Sequence, residues 1–147
     1  MQFNLEINRD QYTIRAYGPG TVTVTIPPAA QDSAPEALDA IGPESSRQRQ
    51  EILTRSAIVT PTHLLRDWSP QAFEELQATH MDILVELAPE IVLLGTGDVL
   101  QWPDSSVVAP LAAAGIGFEV MNTAAACRTY NILMGDGRRV AAALLMI

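Results

Sequence analysis

Cys127 is the one cysteine of the 147-residue chain, and Arg128 follows it directly. Both lie a few residues after Asn122 and Thr123, residue types that cap helix N-termini. A thiol early in a helix feels the positive end of the helix dipole, and a neighbouring guanidinium strengthens that field. Together they would lower the thiol pKa and supply a nucleophile or a redox-active sulfur. Ala124, Ala125 and Ala126 point the other way: small side chains suit close helix packing, and cysteine is among the most often buried residues. The residue types alone admit both chemistries. A general base would have to arrive through space. His63 lies in a loop, and His80 falls on an apolar stripe, where a core or boundary role is the ordinary one. One Cys and two separated His, with neither Cys-x-x-Cys nor His-Glu-x-x-His spacing, offer no zinc site. No metal and no cofactor is expected.

Gly95-Thr96-Gly97 follows an apolar run and precedes a helical pattern, with Glu119 further along, which echoes a dinucleotide fingerprint. Position 100 is Leu100 rather than glycine, and Trp102-Pro103 intervenes before a helix can start, so no helix N-terminus directly meets a pyrophosphate. A tight turn at the end of a strand explains both glycines. A Gly-x-Ser-x-Gly elbow and a phosphate-binding loop are both missing. Trp68 and Trp102 would anchor a partner only if exposed. Tyr130 and Asn131, polar within an otherwise apolar helix, read as side chains bonded to neighbouring loop backbone.

Formal charge is −8, and all nine cations are arginine. Acids concentrate between residues 61 and 121, where Arg66 is the sole cation, and Arg128, Arg138 and Arg139 form the only local positive group. Nucleic acid is excluded as a partner, because phosphate recognition needs a basic face. The apolar runs fall short of the roughly 18 residues that span a bilayer, so no transmembrane segment is expected. The N-terminal stretch lacks a basic region followed by an apolar one, which sets a cytoplasmic expectation.

These residues need elements to position them. Alternation over Tyr12–Tyr17 and Thr21–Ile26 around Gly18-Pro19-Gly20 predicts a β-hairpin. Residues 27–50, with Pro27, Pro28, Pro35 and Pro43, read as an exposed, mobile insertion. Glu51–Thr60 reads as a third strand ended by Pro61. Ser69-Pro70 opens a predicted helix to about Leu87, its stripe formed by Phe73, Leu76, His80, Ile83, Leu84 and Leu87. Residues 90–95 have the continuous apolar pattern of a strand covered on both faces. A helix over 105–114 ending at Gly115 and a strand over Gly117–Met121 complete a right-handed βαβ unit. A third helix capped by Asn122 or Thr123 runs to about Leu133, and a last strand spans Arg138–Ile147. The expected fold is a single α/β domain over 1–147, with a central mixed β-sheet flanked by helices.

Leu94–Gly97, Gly115–Met121, Ala124 through Leu133 (AAACRTYNIL) and Gly137–Ala143 together resemble a widespread domain family of unknown function. That family includes a mitochondrial respiratory complex I assembly factor and an adipogenesis-associated protein. The resemblance is strong from Ile91 onward and looser over residues 51–87. It implies a compact α/β fold with a mixed sheet between helical layers, and it supplies no catalytic residues. Two departures stand out: residues 27–50 are longer than the family loop, and Asn122 stands where the family commonly has Asp, so a role needing a carboxylate there is not carried over.

The carboxyl ends of adjacent parallel strands share one edge, where open α/β sheets usually bind ligands. Gly95, Thr96, Gly97, Asn122, Cys127, Arg128, Tyr130 and Asn131 are therefore the expected binding residues. The function expected is a non-enzymatic binding or assembly module engaging a protein partner or small ligand. The alternative is a small cysteine-dependent enzyme or redox sensor using Cys127.

Overall fold

A computed structural model describes residues 10–31 and 49–147. The N-terminal alternation forms the expected hairpin, with β1 (Thr13–Gly18) antiparallel to β2 (Thr21–Ile26). Ile14 pairs with Val24 and Ala16 with Thr23, so Arg15 is an extra residue that bulges β1. The stretch read as an insertion begins with a 3-10 turn at Pro28–Gln31, and its residues 32–48 lie outside the described residues.

The run 51–60 is two strands rather than one. β3 (Arg49–Leu53) pairs with β2 in a three-stranded sheet, while β4 (Ala57–Val59) belongs to a second sheet. Between them the backbone of Ser56 is held from outside: its N–H donates to Gln71 Oε1 at 3.1 Å, and its carbonyl accepts from Trp68 N at 2.8 Å. Thr54-Arg55-Ser56 contains no Gly, Pro, Asn or Asp to mark a break, and the tertiary bonds that hold it are not visible in the alternation. β5 (Leu64–Leu65) pairs antiparallel with β4.

The helix expected over 69–87 is confined to α1 (Asp82–Leu87), preceded by 3-10 turns at Phe73–Glu75 and Ala78–Met81. Ala72 and Gln77 are extended, so the chain re-enters helical geometry twice. The second entry is a capping box in which Gln77 N–H donates to His80 Nδ1 at 2.9 Å and the Gln77 side chain accepts from His80 N. Gln71 Oε1 accepts from Ser56 N, and Trp68 Nε1 donates to His80 O at 3.2 Å, so side chains tie this broken path to the strand before it and to itself. Leu76 and Leu84 are nevertheless buried, with Phe73, Ile83 and Leu87 packed beside them.

The remainder follows the predicted order. β6 (Ile91–Gly95) leads through α2 (Ser105–Ala113) to β7 (Gly117–Met121), then α3 (Thr123–Gly135) and β8 (Val140–Leu144). β8 is shorter than the 138–147 expected from its apolar run. The strand order is β5-β4-β8-β6-β7, with β6 parallel to β7 and β8, and β8 antiparallel to β4. The sheet is therefore mixed, as predicted. One face carries the three-stranded sheet and α3, whose buried Val22, Val24, Tyr130 and Met134 cluster with Leu93, Ala142 and Leu144. On the other face Trp68, Met81, Leu84 and Leu111 cluster with Val92, Leu94, Ala141 and Ala143. Alanines at the centre of β8 leave room for large side chains on both sides, and each fully buried leucine or valine contributes about 1.5–3 kcal/mol.

Candidate functional site

The three parallel strands end level with one another, since Gly95 pairs with both Met121 and Leu144. The chain leaves β6 through Gly95-Thr96-Gly97 and leaves β7 directly into α3, so the two bends meet on one rim. Thr96 N donates to Met121 O and Thr123 N to Gly97 O, each at 2.9 Å. Thr123 Oγ1 accepts from Gly97 N at 2.8 Å and donates to Leu145 O at 2.6 Å, tying three strand ends to the first turn of α3. A Cβ on Gly95 would lie 2.9 Å from Thr123 Oγ1 and 3.1 Å from Thr123 Cα, so only glycine lets the helix approach so closely. Gly97 is glycine for a different reason, a φ of +101°.

This rim is filled. Thr96, Gly97 and Thr123 are buried, and the amides of Thr96 and Gly97 are already taken. No amide cradle is left there for a pyrophosphate. The next helix begins with the carboxylate of Asp104, which accepts from Ser106 N and Oγ and is held below its usual pKa by those bonds. A negative cap at that position repels a phosphate rather than binding it. Glu119 sits in the middle of β7, exposed to solvent.

Asn122 caps α3 by accepting from Ala125 N at 2.8 Å, a task its amide oxygen performs without a carboxylate. Further along the helix the predicted residues turn away from the rim toward β1. Cys127 is 1% exposed among Tyr12, Ile14 and Val22, and burial pushes its thiol up to about 12 against a weaker opposing effect of Arg128. Tyr130 is fully buried and donates to Tyr12 O at 2.8 Å. Asn131 brackets Ile14, accepting from its N–H at 3.0 Å and donating to its carbonyl at 2.7 Å. Arg128 reaches Tyr17 Oη at 2.8 Å. The eight residues thus divide: Gly95, Thr96, Gly97 and Asn122 build the rim, whereas Cys127, Arg128, Tyr130 and Asn131 attach the hairpin to α3.

The two tryptophans separate as well, Trp68 being 2% exposed and Trp102 71%. With Val99 at 58% and Leu100 at 47%, Trp102 forms an apolar outcrop on the loop leaving the rim. Thr96 Oγ1 braces that loop, donating to Val99 O at 2.8 Å and accepting from Gln101 N at 3.2 Å. Val99 and Leu100 carry no motif; the available signal was a cluster of large apolar residues inside a turn-rich stretch without strand or helix periodicity.

A cavity of about 260 Å³ lies at the opposite end of the parallel strands, lined by Gln11, Thr60–His63, Leu87–Pro89 and Gly137–Val140. None of the eight predicted residues lines it. Arg138 and Arg139 at its margin are engaged, Arg138 Nε with Glu90 at 2.7 Å and Arg139 Nη1 with Ala88 O at 2.6 Å. His63 is exposed, and its Nδ1 lies 2.9 Å from Thr62 Oγ1. Among the described residues, no three His, Cys, Asp or Glu side chains come together in a way that could hold a metal ion. No described helix is long and apolar enough to cross a membrane.

An α/β domain with a mixed five-stranded sheet, a hairpin sheet docked on its last helix and a sealed rim defines a recognisable class. Residues 38–145 match the family described as protein of unknown function (DUF498/DUF598), and the chain belongs to that family. It is 30% identical over 116 residues to human NADH dehydrogenase (ubiquinone) 1 alpha subcomplex assembly factor 3, covering 75% of this chain and 63% of that protein. It is 31% identical over 72 residues to a 13 kDa major membrane protein of Francisella tularensis, covering 49% of this chain and 58% of the other. The chain thus spans less than two thirds of these curated relatives. Among solved structures, a Bordetella parapertussis protein superposes with a TM-score of 0.70 at 32% identity, covering 92% of this chain and 95% of that one. A Bordetella pertussis protein described as a Mth938-like domain gives 0.68 at 25% identity, covering 99% and 90%.

Proposed function

We propose that the chain is a non-enzymatic binding module that engages a protein partner at the carboxyl edge of its parallel strands, through the apolar loop at residues 99–102. The observation that carries this reading is the exposure of Val99, Leu100 and Trp102 on a loop braced by Thr96. Large apolar side chains clustered on a rigid surface mark protein contacts, and tryptophan is prominent among the residues that dominate them. Gly95, Thr96, Gly97 and Asn122 shape the rim behind the loop, and Cys127, Arg128, Tyr130 and Asn131 hold the hairpin that braces α3. The assembly-factor names of several relatives agree with a protein partner. The cysteine-dependent alternative lacks a supporting observation, because the Cys127 sulfur is enclosed and its thiol is held protonated.

The test is partner retention by the tagged chain in its own cells, followed by affinity measurement with the purified partner. Trp102→Ala is expected to weaken binding about 30-fold, the effect of losing a dominant interface aromatic. Thermal unfolding should be unchanged, since the side chain is exposed. Undiminished binding by a Val99→Ser, Leu100→Ser, Trp102→Ala triple variant would overturn the reading. So would metabolite turnover by the purified chain that Cys127→Ala abolishes.

A further inference from the structure

Resting on that reading, we infer that the partner's contact segment is extended and basic, and that it adds a strand to the outer edge of β7 with a Lys or Arg facing Glu119. β7 is the last strand of its sheet. Gly117 N donates to Glu90 O and Met121 O accepts from Thr96 N, so residues 117, 119 and 121 turn their backbone groups toward β6. By the alternation of a parallel ladder, Phe118 and Val120 turn their N–H and C=O groups outward. No described residue takes them.

Edges of this kind are usually protected by a proline, a bulge, an inward charge or a covering helix. β7 has no proline, and its five residues pair with β6 in unbroken register. α3 packs over β6 and β8. On that face Glu119 is exposed, while Phe118 and Val120 pack toward the other face. The C-terminal end of β7 meets the apolar loop, because Thr96 Oγ1 lies 3.2 Å from Met121 O and 2.8 Å from Val99 O. On this proposal a segment paired along β7 continues past Met121 toward the loop of Val99, Leu100 and Trp102, which starts at the same end of the sheet, joining backbone pairing to apolar contact as strand addition does.

Charge selects the occupant. Glu119 is exposed, the loop from Asp98 to Asp104 that leaves the sheet carries acids and no cation, and the one cation between residues 61 and 121, Arg66, is bound to Glu51 at 2.7 Å. A second copy of the chain fits poorly. The antiparallel register that uses all five residues of β7 sets Glu119 against its own counterpart in the closely spaced, non-hydrogen-bonded position, where like charges repel.

The test uses the full chain and synthetic extended peptides about ten residues long, alternating Thr and Val, with Lys, Gln or Glu at the centre and a Leu-Phe pair at either end. Binding is read by amide exchange in nuclear magnetic resonance and by titration. The Lys peptide is expected to bind about tenfold tighter than the Glu peptide, and Glu119→Lys to invert that order. The amides of Phe118 and Val120, fast in the free chain, should slow on binding. Val120→Pro removes an outward N–H and no β6–β7 bond, and should abolish binding while the remaining amides keep their protection.

Failure of all peptides to bind, charge-independent binding, or unchanged exchange at Phe118 and Val120 overturns the inference. So does a dimer in sedimentation that Val120→Pro dissolves, since a second copy would then occupy the edge. If Trp102→Ala weakens the cellular partner but Glu119→Lys and Val120→Pro do not, strand addition falls and the loop reading stands. If none of the three matters, both fall.

Discussion

At the scale of single residues, the glycines and the cysteine show how one residue type serves unrelated physical needs. Gly97 is required by its backbone angle, and Gly95 by the proximity of Thr123. Gly95→Ala should cost about 1–3 kcal/mol by forcing the helix away from the strand, measured as a shift of the urea midpoint. Asn122→Ala should cost about 1 kcal/mol, and Asn122→Asp should be close to neutral, because the position asks only for an acceptor. Cys127 carries a pH prediction. Its folded pKa is raised to about 12, whereas the unfolded thiol titrates near 8.5. Above about pH 8.5 the unfolded chain binds fewer protons than the folded one, so stability present below that pH is lost as pH rises toward 12. The slope approaches about 1.4 kcal/mol per pH unit, checked by denaturation between pH 8 and 11 against Cys127→Ala. Native alkylation of Cys127 should be slow and should become fast in urea. The turn-forming role of Gly97 was legible from residue type; the close approach at Gly95 and the enclosure of the sulfur were not, because both depend on how the helix starting at Thr123 packs and Ala-Ala-Ala-Cys-Arg suits a helix start and a packed helix equally.

At the scale of elements, the helix α3 and the strand β1 form one unit. Arg128, Tyr130 and Asn131 lie on consecutive turns of the helix and bond Tyr17, Tyr12 and Ile14, in and just before β1. Asn131 supplies Ile14 with both bonds at the Arg15 bulge, a place where β1 pairing with β2 slips. Tyr130→Phe leaves Tyr12 O without its donor and should cost about 1–3 kcal/mol. Asn131→Ala should accelerate hydrogen exchange at Ile14 N–H before any global unfolding, observed residue by residue. Sequence patterning found Tyr130 and Asn131 as polar intruders needing backbone partners, but it could not supply the strand that uses them. The stretch 69–87 teaches the complementary lesson. Its apolar spacing picked the residues that reach the core, but extended backbone at Ala72 and Gln77 breaks the path into two 3-10 turns and a short helix, held by bonds to Ser56 and from Trp68.

At the scale of the whole molecule, the paired carboxylates set where stability falls off in acid. The carboxyl of Glu51 is held low by its bond to Arg66, and that of Glu90 by Arg138 and then the backbone of Arg139. The folded chain therefore binds fewer protons than the unfolded chain in acid. The stability they contribute is present above the ordinary carboxylate value near 4 and is lost as pH falls through their lowered values. The melting temperature is expected to stay level between about pH 5 and 7 and to fall below about pH 4. Added salt should change it little at neutral pH, because the ion pairs are exposed. The sequence by itself determined the α/β class, the hairpin, the parallel β6–β7 unit, the start of α3 at Asn122-Thr123 and the family, since periodicity, turn residues and capping chemistry act over a few neighbouring positions. Only tertiary structure decided that the strand at 51–60 splits between sheets, that the rim is sealed, and that Trp102 is bare while Trp68 is covered. Those outcomes depend on which distant groups compete for the same space and the same hydrogen bonds, and spacing along the chain does not record that competition.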